Sequence, residues 1–512
     1  MKKNFLKNLF INFFTIFLTG ILGFIINKKF AIHMGIDKLG LMKLFTQMVA
    51  YLSLVDLGIG NATSYALYKP LEEKNIVKIS TVVSTISSFY KKIAIIIFII
   101  GLSLSFIIPF FINFSENNSM IYIYWILYVV NTCLSYTFAK YPIIFTANQE
   151  YGFVRMVQGS GKIIFQLLQV LILIKLKSFT LFISVMILEN IYCYCIYKYH
   201  YKRKYNFIKN VKEKEDTIMK NMKNMFWHKI GGLIVFNTDY IILSKFTTLS
   251  IVGIYSSYLM VYQMVLTIMN ILTPVLRPLV GIFIVKNSSK KIYIYWRKLY
   301  SFYVMLSTGL IIYIYIFITP FMKLWLGEEF VLPNTTVILI LLNLFIHLTR
   351  GITDVFKECC GFFDDILMPI FESGINFILS IILVRKIGLN GVIFGTLASN
   401  VIVIFLWRPI LVFNRCFGKK AIDYLNDLLK LLGLSFFSGF LVMLILRILK
   451  INFSKIYLWS QFISISFVVG FLIMLTVFVV FLGDIYFRKN LMKYLKRLRC
   501  EKYRNKRFIN LR

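Results

Sequence analysis

The chain has 512 residues, 59% of them hydrophobic and 17% aromatic, with a mean hydropathy of +0.76. A soluble globular protein of this length has no use for that much apolar surface. The net charge of +36 invites a nucleic-acid partner, but the charge is sorted: about 45 of the 58 lysines and arginines fall on one side of the hydropathy-derived spans. That sorting is the positive-inside asymmetry of a membrane protein, so nucleic acid is set aside. The fold class read is an all-α integral membrane protein with both termini cytoplasmic, because runs of about 20 apolar residues are helix-length and too continuous for barrel strands.

The first span covers about residues 8–30. Its leading MKKNFLKN has the charge of a signal sequence, but no small-residue cleavage site follows, so it is read as an uncleaved helix. The chain turns at HMGIDKLG into a second span (about 40–67) that contains SLVDLGIGNATSY. The third (about 82–112) carries Lys91 and Lys92 toward its cytoplasmic part, and the fourth (about 120–145) ends at TANQEYG. The fifth is GFVRMVQGSGKIIFQLLQVLILIK, and the sixth is about 179–198. A basic segment, KYHYKRKYNFIKNVKEKEDTIMKNMKN, then reads as a cytoplasmic linker.

Spans seven to twelve follow at about 225–247, 250–276, 298–320, 334–357, 365–386 and 389–412. The short RKIGLNG turn between the last two forces an antiparallel hairpin. Spans thirteen and fourteen, about 428–449 and 456–483, precede a polybasic tail suited to anionic lipid. The expected organisation is therefore residues 1–197, a linker at 198–224, residues 225–413, two further spans within 414–484, and a tail at 485–512. A faint repeat supports two sixes: KKF…QMV at 28–49 echoes SKF…QMV at 244–265, as in transporters built from parallel repeats.

The fifth span carries the clearest chemical signal. Arg155, Gln158, Lys162, Gln166 and Gln169 recur at steps of three, four, four and three, which places them on one helical face. A lysine near a helix centre costs about 2.5–3.5 kcal/mol in lipid. The face is therefore read as the wall of a wet cavity, with cations for phosphate and amides for sugar hydroxyls. Arg277, between Pro274 and Pro278, and Arg350 are the other candidate anion contacts; Arg350 also stands four residues from Asp354 and pairs with it on one face. Lys140 either points into the cavity or snorkels inward. Asp56, Glu189, Asp239 and Glu372 are carboxylates at membrane depth, read as ion-coupling candidates and alternatively as structural partners of buried cations.

No Walker loop, dinucleotide fingerprint or H-E-x-x-H occurs, and the four histidines are scattered. No enzyme activity, cofactor or metal is expected; a proton or sodium gradient is the expected driving force. The seven cysteines contain no C-x-x-C and are expected to be reduced thiols.

Several segments resemble the Wzx-type polysaccharide flippases of the multidrug/oligosaccharidyl-lipid/polysaccharide exporter superfamily. They are GIDKLGLM, SLVDLGIGNA, GGLIVFNTDYIILSKFTTLSIVGIYSSY, KLWLG and IGLNGVIFGT. The resemblance implies two six-helix lobes in a V around a central cavity, plus two C-terminal helices, working by alternating access. It implies transfer of an undecaprenyl-diphosphate-linked oligosaccharide across the bacterial cytoplasmic membrane, with a polysaccharide polymerase and a chain-length regulator as neighbours in the pathway. The peptidoglycan-precursor flippases of the superfamily carry an Arg and an Asp in the first helix, whereas this chain has Lys28 and Lys29 near the outer end and no acid. A cation-coupled multidrug exporter and a non-transporting assembly scaffold stay open as alternatives.

Overall fold

The computed structural model describes residues 2–53, 59–112, 118–209, 211, 238–270, 272–362, 367–451, 453, 456–489 and 491–492. Among these the regular structure is helical throughout, with no strand. The chain forms two compact units, residues 1–260 and 261–512.

The first unit holds α1 (Lys2–Met34), α2 (Ile36–Ser53), α3 (Ile59–Glu72), α4 (Ile76–Ser105), α5 (Ile108–Phe111), α6 (Asn118–Thr137), α7 (Lys140–Ala147), α8 (Tyr151–Lys175), α9 (Phe179–Lys204), α10 (Asp239–Phe246) and the start of α11 (Leu249–Asn270). The second holds the end of α11, then α12 (Leu272–Lys286), α13 (Ser289–Trp325), α14 (Asn334–Cys359), α15 (Leu367–Ile387), α16 (Leu389–Ser399), α17 (Arg408–Val412), α18 (Ala421–Ile448) and α19 (Trp459–Phe481).

Among the described residues, twelve helical stretches are long and apolar enough to cross a membrane. They correspond to twelve of the fourteen expected spans. The second expected span is represented by α2 and α3, on either side of residues 54–58, which lie outside the described residues along with Asp56. The seventh is represented by α10 alone, since 212–237 lie outside them too.

Local chemistry sets the helix ends. Gly35, at φ +88°, makes the turn from α1 to α2 in a conformation that favours glycine. Asn75 caps α4 by accepting from the Lys78 amide at 3.0 Å, and Ser178 caps α9 by accepting from the Leu181 amide. The RKIGLNG hairpin forms as expected: a Cβ on Gly395 of α16 would stand 2.5 Å from Ser380 Oγ of α15, so the two helices touch along their backbones.

One expectation is corrected. Cys360 and Cys416 form a disulfide across a sequence separation of 56, with Cα atoms 6.3 Å apart. The end of α14 and the turn after α17 lie side by side, within reach of such a bond. The pairing is set by the tertiary fold and leaves no local spacing to read.

Candidate functional site

Helix α8 displays its polar stripe. Arg155, Gln158 and Lys162 are exposed, Gln166 is half-buried and Gln169 is buried. Met156, Ile164, Leu167, Leu171 and Ile174 are exposed as well. At about 100° per residue these apolar side chains centre on the side of the helix away from the stripe. Between the two faces α8 is gripped on both flanks. A Cβ on Gly159 would stand 2.6 Å from Thr15 Cγ2 of α1, and one on Gly161 would stand 3.2 Å from the Tyr192 ring of α9. The glycines therefore let α1 and α9 approach, and the stripe looks out between those helices.

Contacts along the stripe differ. Arg155 donates to Tyr151 Oη at 2.6 Å and lies over the same ring. Lys162 stands within electrostatic reach of Glu189 on α9. Gln166 Oε1 is buried and accepts no hydrogen bond among the described residues. Gln169 is turned into the α8–α9 contact, where it donates to the Phe182 carbonyl at 3.3 Å. Asp239 begins α10 near Tyr51 of α2 and its own neighbour Tyr240. Lys140 begins α7 and lies near the Tyr141 and Tyr201 rings.

In the second unit, Arg277 forms an exposed ion pair with Glu358 at 2.6 Å. Arg350 and Asp354 pair along α14 at 2.6 Å, as their spacing requires. The same carboxylate takes a second guanidinium, Arg408 Nη1, at 3.2 Å, and Glu372 of α15 lies within electrostatic reach of both arginines. About two turns toward the start of α14, Asn343 accepts from Asn400 Nδ2 at 2.8 Å, and His347, one turn from Arg350, has its Nε2 3.3 Å from the same nitrogen. Asn343, His347, Arg350 and Asp354 thus form a second polar face at steps of four, three and four.

That face was legible in the same periodicity as the α8 stripe, but Asn343, His347 and Arg408 escaped the sequence reading. Arg408 is the instructive case. Residues 400–407 form a π-helical stretch, and Pro409 follows. Proline has no amide to give the Phe405 carbonyl, which instead accepts from Tyr424 Oη at 2.6 Å. The widened turn delivers Arg408 to Asp354, as such bulges often do at functional positions.

Residues 5–283, more than half the chain, match the family described as "Polysaccharide biosynthesis protein". Comparison with the curated proteins finds no match. Among solved structures, a lipid II flippase, MurJ, in an inward closed conformation superposes with a TM-score of 0.66 at 15% identity, covering 93% of this chain and 99% of its own. An inward-facing multidrug resistance MATE transporter of the MOP superfamily gives 0.64 at 12% identity, covering 77% and 94%. A MATE transporter of Vibrio cholerae gives 0.52 at 14%, covering 80% and 97%. At these identities the likeness is one of fold. By its sequence match and its fold, the chain belongs to the polysaccharide biosynthesis protein family, on the helical membrane framework of the MurJ and MATE transporters.

Proposed function

We propose that the protein is a flippase for a lipid-linked oligosaccharide, moving an undecaprenyl-diphosphate-linked unit from the inner to the outer leaflet of a bacterial cytoplasmic membrane. In this reading residues 1–197 and 225–413 are the two lobes, the basic 198–224 segment and both termini are cytoplasmic, and alternating access carries the headgroup while the lipid tail stays outside. A proton or sodium gradient drives it through Asp56, Glu189, Asp239 or Glu372. A polysaccharide polymerase and a chain-length regulator take the product.

One observation carries the reading: within a membrane-length helix, Arg155, Gln158 and Lys162 are exposed on the side away from the exposed apolar face. Two cations and adjacent amides suit a diphosphate and its sugars, whereas a drug-cation site calls for acidic and aromatic walls. Lys162→Ala removes a charge-assisted hydrogen bond worth about 1.5–3 kcal/mol, roughly a 10- to 150-fold loss of transport. Surface polysaccharide in a complemented deletion strain should fall while the protein's membrane level holds. Full polysaccharide at a normal protein level sinks the reading, and drug sensitivity of the deletion strain with intact polysaccharide replaces it with the exporter.

A further inference from the structure

The basic end of α9 carries a cluster that the α8 stripe does not use. Leu181, Leu188 and Ile191 are exposed at steps of seven and three, an apolar face of α9 that suits lipid. Exposed Cys195 and Tyr199 continue it, and the helix closes on Lys202, Arg203 and Lys204. The change from apolar to polar therefore falls near Lys198. On one flank of that face Tyr194, Lys198 and Tyr201 recur at four and three, turned toward α7. Buried Tyr141 of α7 stands between the two tyrosines, its ring centroid 6.3 Å from that of Tyr194 and 5.0 Å from that of Tyr201. Two ammonium groups sit against these three rings. Lys140 Nζ lies 5.2 Å from the Tyr141 centroid and 5.7 Å from that of Tyr201, and Lys198 Nζ lies 5.1 Å from that of Tyr194. An aromatic face attracts a cation through its quadrupole and leaves the N–H donors available to an anion. Neither lysine meets a carboxylate among the described residues. Glu150, at the same end of α9, is taken by His200 and Lys204, which leave the helix on other sides from Lys198.

We propose that Lys140 and Lys198, set against the Tyr141, Tyr194 and Tyr201 rings, hold the phosphate of one anionic phospholipid, whose acyl chains lie along the exposed face of α9. Three features select this occupant. Two cations with no acid between them call for a negative headgroup. Tyrosines gather where headgroups lie, and lysines reach that level from within the hydrocarbon by their flexible stems. The apolar face beside them takes the chains. A zwitterionic headgroup brings an ammonium of its own, which the two lysines repel. Lys140 is on this account a headgroup contact and not a cavity residue. The site goes beyond the flippase reading and takes from it only the leaflet, the cytoplasmic one.

The test uses the full-length protein in detergent, stripped of lipid and titrated separately with phosphatidylglycerol, phosphatidylcholine and undecaprenyl diphosphate. Native mass spectrometry counts the molecules retained, and the thermal unfolding midpoint reads the stabilisation that binding brings. Wild type should retain one phosphatidylglycerol and shed phosphatidylcholine, with the midpoint rising only for the former. Lys140→Gln and Lys198→Gln should each weaken retention about fivefold, and the double change roughly thirtyfold, with the lipid-free midpoint unchanged. The single changes judge the site even where the double variant fails to fold. Tyr201→Leu keeps both charges and should weaken retention about two- to fivefold. The double change Lys69→Gln, Lys78→Gln, at exposed lysines of α3 and α4, should leave it intact. Equal retention of the two phospholipids by wild type, or equal losses in the two double variants, overturns the site. Undecaprenyl diphosphate held more tightly than phosphatidylglycerol, and released by Lys140→Gln and Lys198→Gln, overturns the phospholipid as its occupant. The polysaccharide phenotype of Lys162→Ala judges the flippase reading separately.

Discussion

At the scale of single residues, Glu150, in the turn before α8, is the best-satisfied carboxylate among the described residues. It accepts from Lys204 Nζ and from the His200 ring at 2.7 Å each, from Tyr205 Oη at 2.5 Å and from Asn148 Nδ2 at 3.0 Å. Burial acts to raise this carboxyl, but the hydrogen bonds from Lys204, Tyr205, His200 and Asn148 outweigh it and hold it at about 2. Burial and the same bond push the Tyr205 phenol up. A carboxyl lowered in the folded state stabilises the fold above its unfolded value, and the contribution is lost as pH falls from about 4.5 toward 2. Glu150→Gln should therefore lower the unfolding midpoint in detergent at pH 7, and the gap from wild type should close between pH 4.5 and 2. A gap that stays constant across that window would show that the charge is not what ties the ends of α7 and α9 together. The sequence displayed Glu150 only as part of a turn, TANQEYG. Three of its partners lie 50 to 55 residues away, and no local pattern announces them. Arg350 and Asp354 were readable because helical geometry alone brings them together, whereas Arg408 needed the π-helical stretch and Pro409 to reach the same carboxylate.

At the scale of elements, apolar length fixes where helices run, and small residues fix which ones touch. The α2–α11 seam illustrates the second point. Ser250 donates to Asp37, and Asn27 of α1 donates to Ser257 at 3.0 Å. Lys43 Nζ lies 3.6 Å from Met260 Sδ. Ser250, Gly253, Ser257 and Met260 recur at three, four and three, one face of α11 laid on Asp37, Gly40 and Lys43 of α2. Between them Gly40 and Gly253 bring the backbones together: a Cβ on Gly253 would stand 2.8 Å from the Ile36 carbonyl oxygen and 3.2 Å from the Gly40 nitrogen. Backbone atoms cannot step aside as a side chain can. Gly253→Ala should cost about 1–3 kcal/mol, the usual penalty of overpacking, and lower the unfolding midpoint accordingly. An unchanged midpoint would mean that the seam yields freely. The glycines in GIDKLG and SIVGIY marked these segments in the sequence, but nothing there said that the two lay against each other. α10 packs on α2, and the first turns of α11 pack on α1 and α2, within the first compact unit.

At the scale of the whole molecule, the last two membrane helices stand outside the two sixes that the faint repeat suggests, so something other than the repeat must fix them. α18 and α19 expose Phe436, Phe440, Phe467 and Phe471 on one part of their surface and bury Leu431, Val442, Ile473 and Phe481 on another, and Ser435 of α18 lies 2.8 Å from Thr308 of α13. One buried cation adds an ionic tie to both. Arg297 of α13 reaches Asp427 of α18 at 3.0 Å and Asp484, just past α19, at 3.2 Å. Tyr293 Oη donates to Asp427 at 2.6 Å, and Asp484 also accepts from Ser301 Oγ at 2.7 Å and from the Phe487 amide at 3.0 Å. The side chain of Arg297 is 1% exposed, so neither aspartate has water as a ready substitute for it. Arg297→Met leaves two buried carboxylates without their cation and should cost about 3–5 kcal/mol. The triple change Arg297→Met, Asp427→Leu, Asp484→Leu removes all three charges and should recover most of that loss, because an ion cluster replaced by apolar packing is often neutral. The comparison separates two views of why the cluster is there. If the single change is severe and the triple mild, the charges select which helices meet. If both are equally severe, they supply stability that packing cannot replace. A silent single change would show that α18 and α19 are held by their apolar contacts alone. Thermal unfolding in detergent, with proteolysis across residues 450–458 to detect release of α19, reads all three outcomes.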